Sequence, residues 1–167
     1  LDHYHIDPSF GAPILVDGPG QVRGVVFSCI QIPHGRPGGI DHGMVKVFRA
    51  LADDVAVVHM GDAGRAPTQS EMELLGRPDV LLAPVGGRFT IGPAEAAEMV
   101  RAWAPRVVVP IHYADPLVRI DLEPLESFLA LMGGFEEKEG GFEIVAGGHP
   151  GPTRTVVVRA LQPPRHT

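Results

Sequence analysis

Two short runs, DVLLAPVGG (residues 79–87) and RVVVPIHY (residues 106–113), constrain this chain more than any other feature. Each is apolar almost throughout, so each reads as a buried strand rather than a strand with one wet face. Between them lies GPAEAAEMVRAWAP (residues 92–105), which reads as a helix. Pro93 stands in its first turn, Glu95 and Glu98 lie early, Arg101 lies late, and Pro105 follows it. A strand, a helix and a second strand of this kind need layers on which to bury their faces, so the class is α/β or α+β with a layered sandwich.

The rest of the chain fits that frame. Strands are expected over residues 12–18, 24–33, 44–51 and 54–62, where β-branched and apolar runs stop at Gly, Pro or Asp. Residues 68–78 predict a helix, because Thr68 and Glu71 have capping-box spacing and Gly76 and Pro78 end it. A further helix is expected over 122–134, followed by a closing pair of strands at 142–148 and 153–161 and a frayed tail at 162–167. With 167 residues and neither repeat nor linker, residues 1–167 read as one domain.

Composition removes several function classes. The formal net charge is −6 and no block of Lys or Arg occurs, so the phosphate-neutralising footprint of a nucleic-acid binder is missing. Cys29 is alone, which leaves no disulfide framework, and no apolar run reaches the length of a membrane span. A cytoplasmic location and no membrane partner are the expectations.

Residues able to do chemistry gather where strands stop. The strands ending near residues 62, 87 and 112 finish on Asp62, on Gly86–Gly87 and on His112, and active sites collect beyond strand ends. Asp62, in HMGDAG, is a strand-end carboxylate that could bridge two cations through its two oxygens, or cap a turn. His112 ends a long apolar run, where an imidazole costs energy unless paired or coordinated, so a ligand role is favoured. His34, in IPHGRPGG, is equally a ligand or an ordinary loop histidine. Asp2 and His3 form a pairing common among metal ligands, but surface Asp-His pairs are frequent. His59 suits a supporting partner for a ligand. Gly86 and Gly87 suggest a close backbone approach to substrate or to the ligand-bearing loops, Arg88 could hold an anion, and Tyr113 could pack or donate its hydroxyl.

Taken together, HMGDAG, LLAPVGGRFTI and VVVPIHY, preceded by Asp-His and His-Gly, resemble the metallo-β-lactamase superfamily. Within it they are most similar to small bacterial metal-dependent hydrolases akin to the ascorbate-6-phosphate lactonases. The resemblance covers residues 1–115 and implies an αββα sandwich. That family carries a His-x-His-x-Asp-His motif after its N-terminal strands, and Leu1-Asp2-His3 matches its last three positions. The chain therefore looks like the C-terminal portion of a longer hydrolase, with the N-terminal strands missing. A rival alignment through His3, His5 and Asp7 puts Pro8 where the family has His and is rejected.

The resemblance implies that Asp2, His3 and His112 hold one metal, that His34 belongs to the other, and that Asp62 bridges both. Asp41, His42, His149 and His166 stay outside the ligand set, with His5 and Asp7. Asp2 and Asp62 would serve catalysis, with two divalent ions, zinc by preference and manganese or iron as alternatives. The implied activity is hydrolysis of a small ester, lactone or phosphorylated metabolite by a metal-activated water. The alternative is a non-catalytic remnant or assembly partner that keeps the fold's second half. Either way, an incomplete sheet would expose an edge and an apolar face, so a homo-oligomer or a partner chain is expected there.

Overall fold

The computed structural model describes residues 14–35, 43–116, 119–148 and 151–160. An eight-stranded mixed sheet, in the order β1-β2-β3-β4-β5-β6-β8-β7, forms its centre. The first half is an antiparallel meander of β1 (Gly20–Val22), β2 (Val25–Pro33), β3 (Met44–Ala52) and β4 (Val55–His59). Two of its connections are two-residue turns, Arg23–Gly24 and Asp53–Asp54, in which both residues have positive φ. That is the turn whose twist matches a right-handed hairpin.

The second half is parallel: β4, β5 (Val80–Pro84), β6 (Val107–Ile111), β8 (Arg154–Arg159) and β7 (Glu136–Glu139). Helix α1 (Gln69–Leu75) links β4 to β5, α2 (Pro93–Trp103) links β5 to β6, and α3 (Leu125–Met132) follows β6. Alternate residues of each strand face the helices. Ile30, Ile32, Val47, Val58, Leu81, Val108 and Val157 pack there with Met99, Val100 and Phe128. The opposite face carries Val80, Val107, Val109 and Val156, flanked by half-buried Leu82, Ile111, Phe142 and Ile144. That second face opens into an apolar depression of about 680 Å³. The described residues thus form an α/β assembly of one sheet with one helical layer.

Three local expectations are corrected. Residues 14–19 contain no strand, and Ile14 and Leu15 are exposed. Residues 142–148 contain none either, although Phe142 and Ile144 still pack on the sheet. The strand beside β8 is β7, whose sequence Glu-Glu-Lys-Glu has no apolar alternation. Register supplies what propensity lacks: Arg154 meets Glu136 at 2.7 and 2.8 Å, and Arg159 pairs with Glu137. The tail at 162–167 lies outside the described residues.

Helix α1 starts as its sequence predicts, with Thr68 and Glu71 exchanging capping bonds. Glu71 also takes a two-pronged contact from Arg65, at 2.7 and 2.8 Å. Hydrogen bonding from the Arg65 guanidinium, helped by Thr68, holds the Glu71 carboxyl down to about 2, from an ordinary 4.5. Because the folded value is depressed, the stabilisation is complete above pH 4.5 and is lost as pH falls toward 2. Glu71→Gln is expected to cost about 1–2 kcal/mol at neutral pH. Denaturant unfolding of both proteins across the acid range should show that difference closing as pH approaches 2.

Candidate metal centre

Strands β4, β5 and β6 are parallel neighbours, so the segments leaving their C-terminal ends share one rim. After β4 the chain runs through Met60, Gly61 and Asp62 to Ala63. Met60 and Ala63 are fully buried, so Asp62 stands on backbone anchored at both sides. Met60 donates its N–H to the Leu82 carbonyl at 3.0 Å, and the Ala63 carbonyl accepts from Ile91 N–H at 2.9 Å. Gly61, with φ +55°, donates to His59 Nδ1 at 2.9 Å. His59 therefore braces the turn before Asp62. Desolvation lowers the His59 ring from its ordinary pKa even though solvent reaches the residue, and the Asp62 charge pulls the other way.

His34 arrives from the far side of the meander, just past β2. An isolated antiparallel bridge joins His34 to Ala63, and Gly64 donates its N–H to the Pro33 carbonyl at 2.8 Å. The two segments lie so close that a Cβ on Gly64 would stand 1.8 Å from the Gly35 carbonyl oxygen. His112 follows β6 with φ +52°, a conformation that β-carbon-bearing residues seldom adopt. Gly86 makes room for it, since a Cβ there would stand 2.1 Å from the His112 carbonyl oxygen. Gly64 and Gly86 are thus the clamps of the rim. The Gly86–Gly87 pair and Gly35, in IPHGRPGG, signal a close approach or a sharp turn in the sequence, whereas Gly64 looks there like an ordinary turn residue.

These clamps bring three of the five predicted site residues together. His34 Nε2 lies 3.7 Å from Asp62 Oδ2, and His112 Nε2 lies 3.9 Å from Asp62 Oδ1. Both separations are too long for hydrogen bonds. They lie near the ~3.4 Å that separates two donors sharing a tetrahedral ion at about 2.1 Å from each. Each carboxylate oxygen thus faces its own imidazole, and the three side chains are only 14 to 21 % exposed. His112 Nδ1 is buried without a hydrogen-bond partner, a cost of about 1–3 kcal/mol. Two imidazoles about one carboxylate are nonetheless the donor types that a divalent ion takes. Among the described residues, no group of three or more His, Cys, Asp or Glu side chains meets the geometry for holding one ion alone. Asp2 and His3 lie outside the described residues, as do His5, Asp7, Asp41, His42, His149 and His166. Among the described residues no helix is long and apolar enough to cross a membrane.

Comparison with known proteins locates this rim among others. Residues 1–112 match the family described as the beta-lactamase superfamily domain. A UPF0173 metal-dependent hydrolase of Caldivirga maquilingensis is 44 % identical over 86 residues, covering 49 % of this chain and 37 % of that protein. One from Pyrococcus horikoshii is 36 % identical over 120 residues, covering 70 % and 52 %. The chain spans about half the length of such curated relatives, or less. A Thermotoga maritima crystal structure, assigned as a candidate zinc-dependent hydrolase of the metallo-β-lactamase superfamily, superposes with a TM-score of 0.74 at 30 % identity. That superposition covers 89 % of this chain and 72 % of the other.

Proposed function

The chain belongs to the metallo-β-lactamase superfamily, and from that premise we propose that it carries part of a metal-dependent hydrolytic site built on His34, Asp62 and His112. The observation behind the reading is the Asp62 carboxylate with one imidazole Nε2 facing each oxygen, at 3.7 and 3.9 Å. Asp2 and His3 would complete the ligand set, His112 with Asp2 and His3 holding one ion, His34 the other, and Asp62 shared by both. Bound divalent ions, zinc by preference, would supply Lewis acidity and a water that ionises near neutral pH. The protein's part is orientation. The Gly64 and Gly86 clamps bring the three segments together, and the bonds from Met60, Gly61 and Ile91 hold the backbone on both sides of Asp62. Asp62 and Asp2 would be the carboxylates serving catalysis there. The substrate is a small ester, lactone or phosphorylated metabolite.

The test is a zinc titration of the chain followed by metal analysis after desalting. Weak binding, with an ion lost on desalting, is expected, because His34 and Asp62 are too few donors for the second ion. His112→Ala should abolish the binding that remains. Zinc affinity unchanged by His112→Ala removes the reading.

A second reading, as an assembly partner, is favoured by the apolar depression on the sheet's open face. A second copy or a partner chain covering Leu82, Val109 and Ile111 would bury that surface. Light scattering at micromolar concentration is expected to show association, and a monodisperse monomer counts against it.

A further inference from the structure

We propose that the depression beside Gly86 receives a single small anionic group of the substrate, a carboxylate or a phosphate, through the guanidinium of Arg88. The inference rests on the hydrolytic reading above and adds a substrate class to it.

The position of Arg88 comes from topology. β5 lies between β4 and β6, so the segment after it runs between the segments bearing Asp62 and His112. It is tied to both. Gly86 packs on the His112 carbonyl, and Ile91 N–H bonds to the Ala63 carbonyl at 2.9 Å. Arg88 projects from the middle of that tied segment into a depression of about 610 Å³, walled also by Gly86 and by Asp121 to Pro124. The far wall is fixed as well, because Glu123 donates its N–H to the Gly86 carbonyl at 2.8 Å.

A tight turn presents the same residue. Six non-glycine residues among those described have positive φ. Arg23, Asp53 and Asp54 form the two hairpin turns, and Ala104 is the C-cap of α2. Arg88, at +57°, sits in a tight turn in which Phe89 and Thr90 donate their N–H groups to the Gly87 carbonyl at 2.7 and 3.1 Å, and His112, at +52°, follows β6. The turn fixes the backbone from which the Arg88 side chain leaves.

The guanidinium is also under-used. Arg65, Arg106 and Arg154 each meet a carboxylate at 2.7 or 2.8 Å. Arg88 reaches Asp121 only through Nη1, at 3.4 Å, and that carboxylate is 95 % exposed. A good charge-assisted bond is about 2.7–2.9 Å. The Arg88 head lies 5.3 Å from the Phe89 ring centre, which limits its freedom and presents its flat fork for two-point recognition. Asp121 and Glu123 line the same depression, so an incoming anion must displace the long Asp121 contact to reach the guanidinium.

The test is a backbone-amide NMR titration of the chain, in chelator and at constant ionic strength, with sodium phosphate and separately with sodium acetate. Saturable shifts are expected at Gly86, Gly87 and Arg88, and the anion that binds more tightly identifies the group. Arg88→Gln should weaken that binding by roughly tenfold or more, the loss expected when a charged donor is removed. Arg88→Gly should abolish it while leaving the melting temperature unchanged or higher, because the positive φ is then relieved. Equal affinity in Arg88→Gln, or no saturable shift with either anion, overturns the proposal. A zinc arm separates the two claims. Anion shifts without any zinc effect on the His34 and His112 imidazoles would sink the hydrolytic reading alone, and the converse would sink this one alone.

Discussion

Gly64→Ala is expected to cost more than about 3 kcal/mol, a large effect for a single methyl group. The added carbon would stand 1.8, 2.4 and 2.8 Å from the O, C and N atoms of Gly35. All three are backbone atoms, so no side chain can swing away to relieve the collision. The two segments must part, which opens the Gly64 N–H to Pro33 bond and the bridge between His34 and Ala63. Denaturant unfolding should show a lower midpoint with an unchanged slope. Gly20→Ala serves as the comparison, since its methyl meets nothing within 4 Å and its loss should stay below about 1 kcal/mol. A Gly64→Ala protein as stable as that comparison would mean that the rim is not clamped there.

The second large effect concerns binding. Asp62→Asn keeps the shape of the side chain and removes its charge. Were Asp62 only a supporting partner of the ligands, zinc affinity would fall by about 10–100-fold. As the group shared between two imidazoles it should cost more than about 100-fold, with the unfolding midpoint little changed. Zinc titration followed through the His34 and His112 imidazole NMR signals measures this directly. An affinity within tenfold of the parent would take Asp62 out of the ligand set.

Much of this architecture is legible before any coordinates. The apolar runs at 79–87 and 106–113 become β5 and β6 because four or five consecutive apolar residues with turn signals on both sides suit a strand covered on two faces. Thr68 and Glu71 announce α1 through a reciprocal bond that only a helix start can make. Asp62 and His112 stand out because a polar group closing an apolar run has to face something. β7 does not stand out, because the stability of Glu136–Glu139 comes from Arg154 and Arg159, fifteen or more residues onward, and no local pattern records a partner at that distance. Gly64 is hidden for the same reason: its lack of a side chain matters only beside Gly35. The strain at Arg88 is invisible too, since arginine carries no preference for positive φ that a reader could use.

The order of the last two strands bears on how the chain is made. β7 is hydrogen-bonded to the sheet only through β8, and β8 reaches it only through β6. During synthesis Glu136–Glu139 leave the ribosome with nowhere to dock until Arg154–Arg159 have followed. The meander and the β4-to-β6 region can assemble early, whereas the far edge waits for the final strand. A nascent chain stalled before residue 154 would therefore expose the open side of β6, with its row of valines, to whatever chaperone or neighbouring strand arrives first.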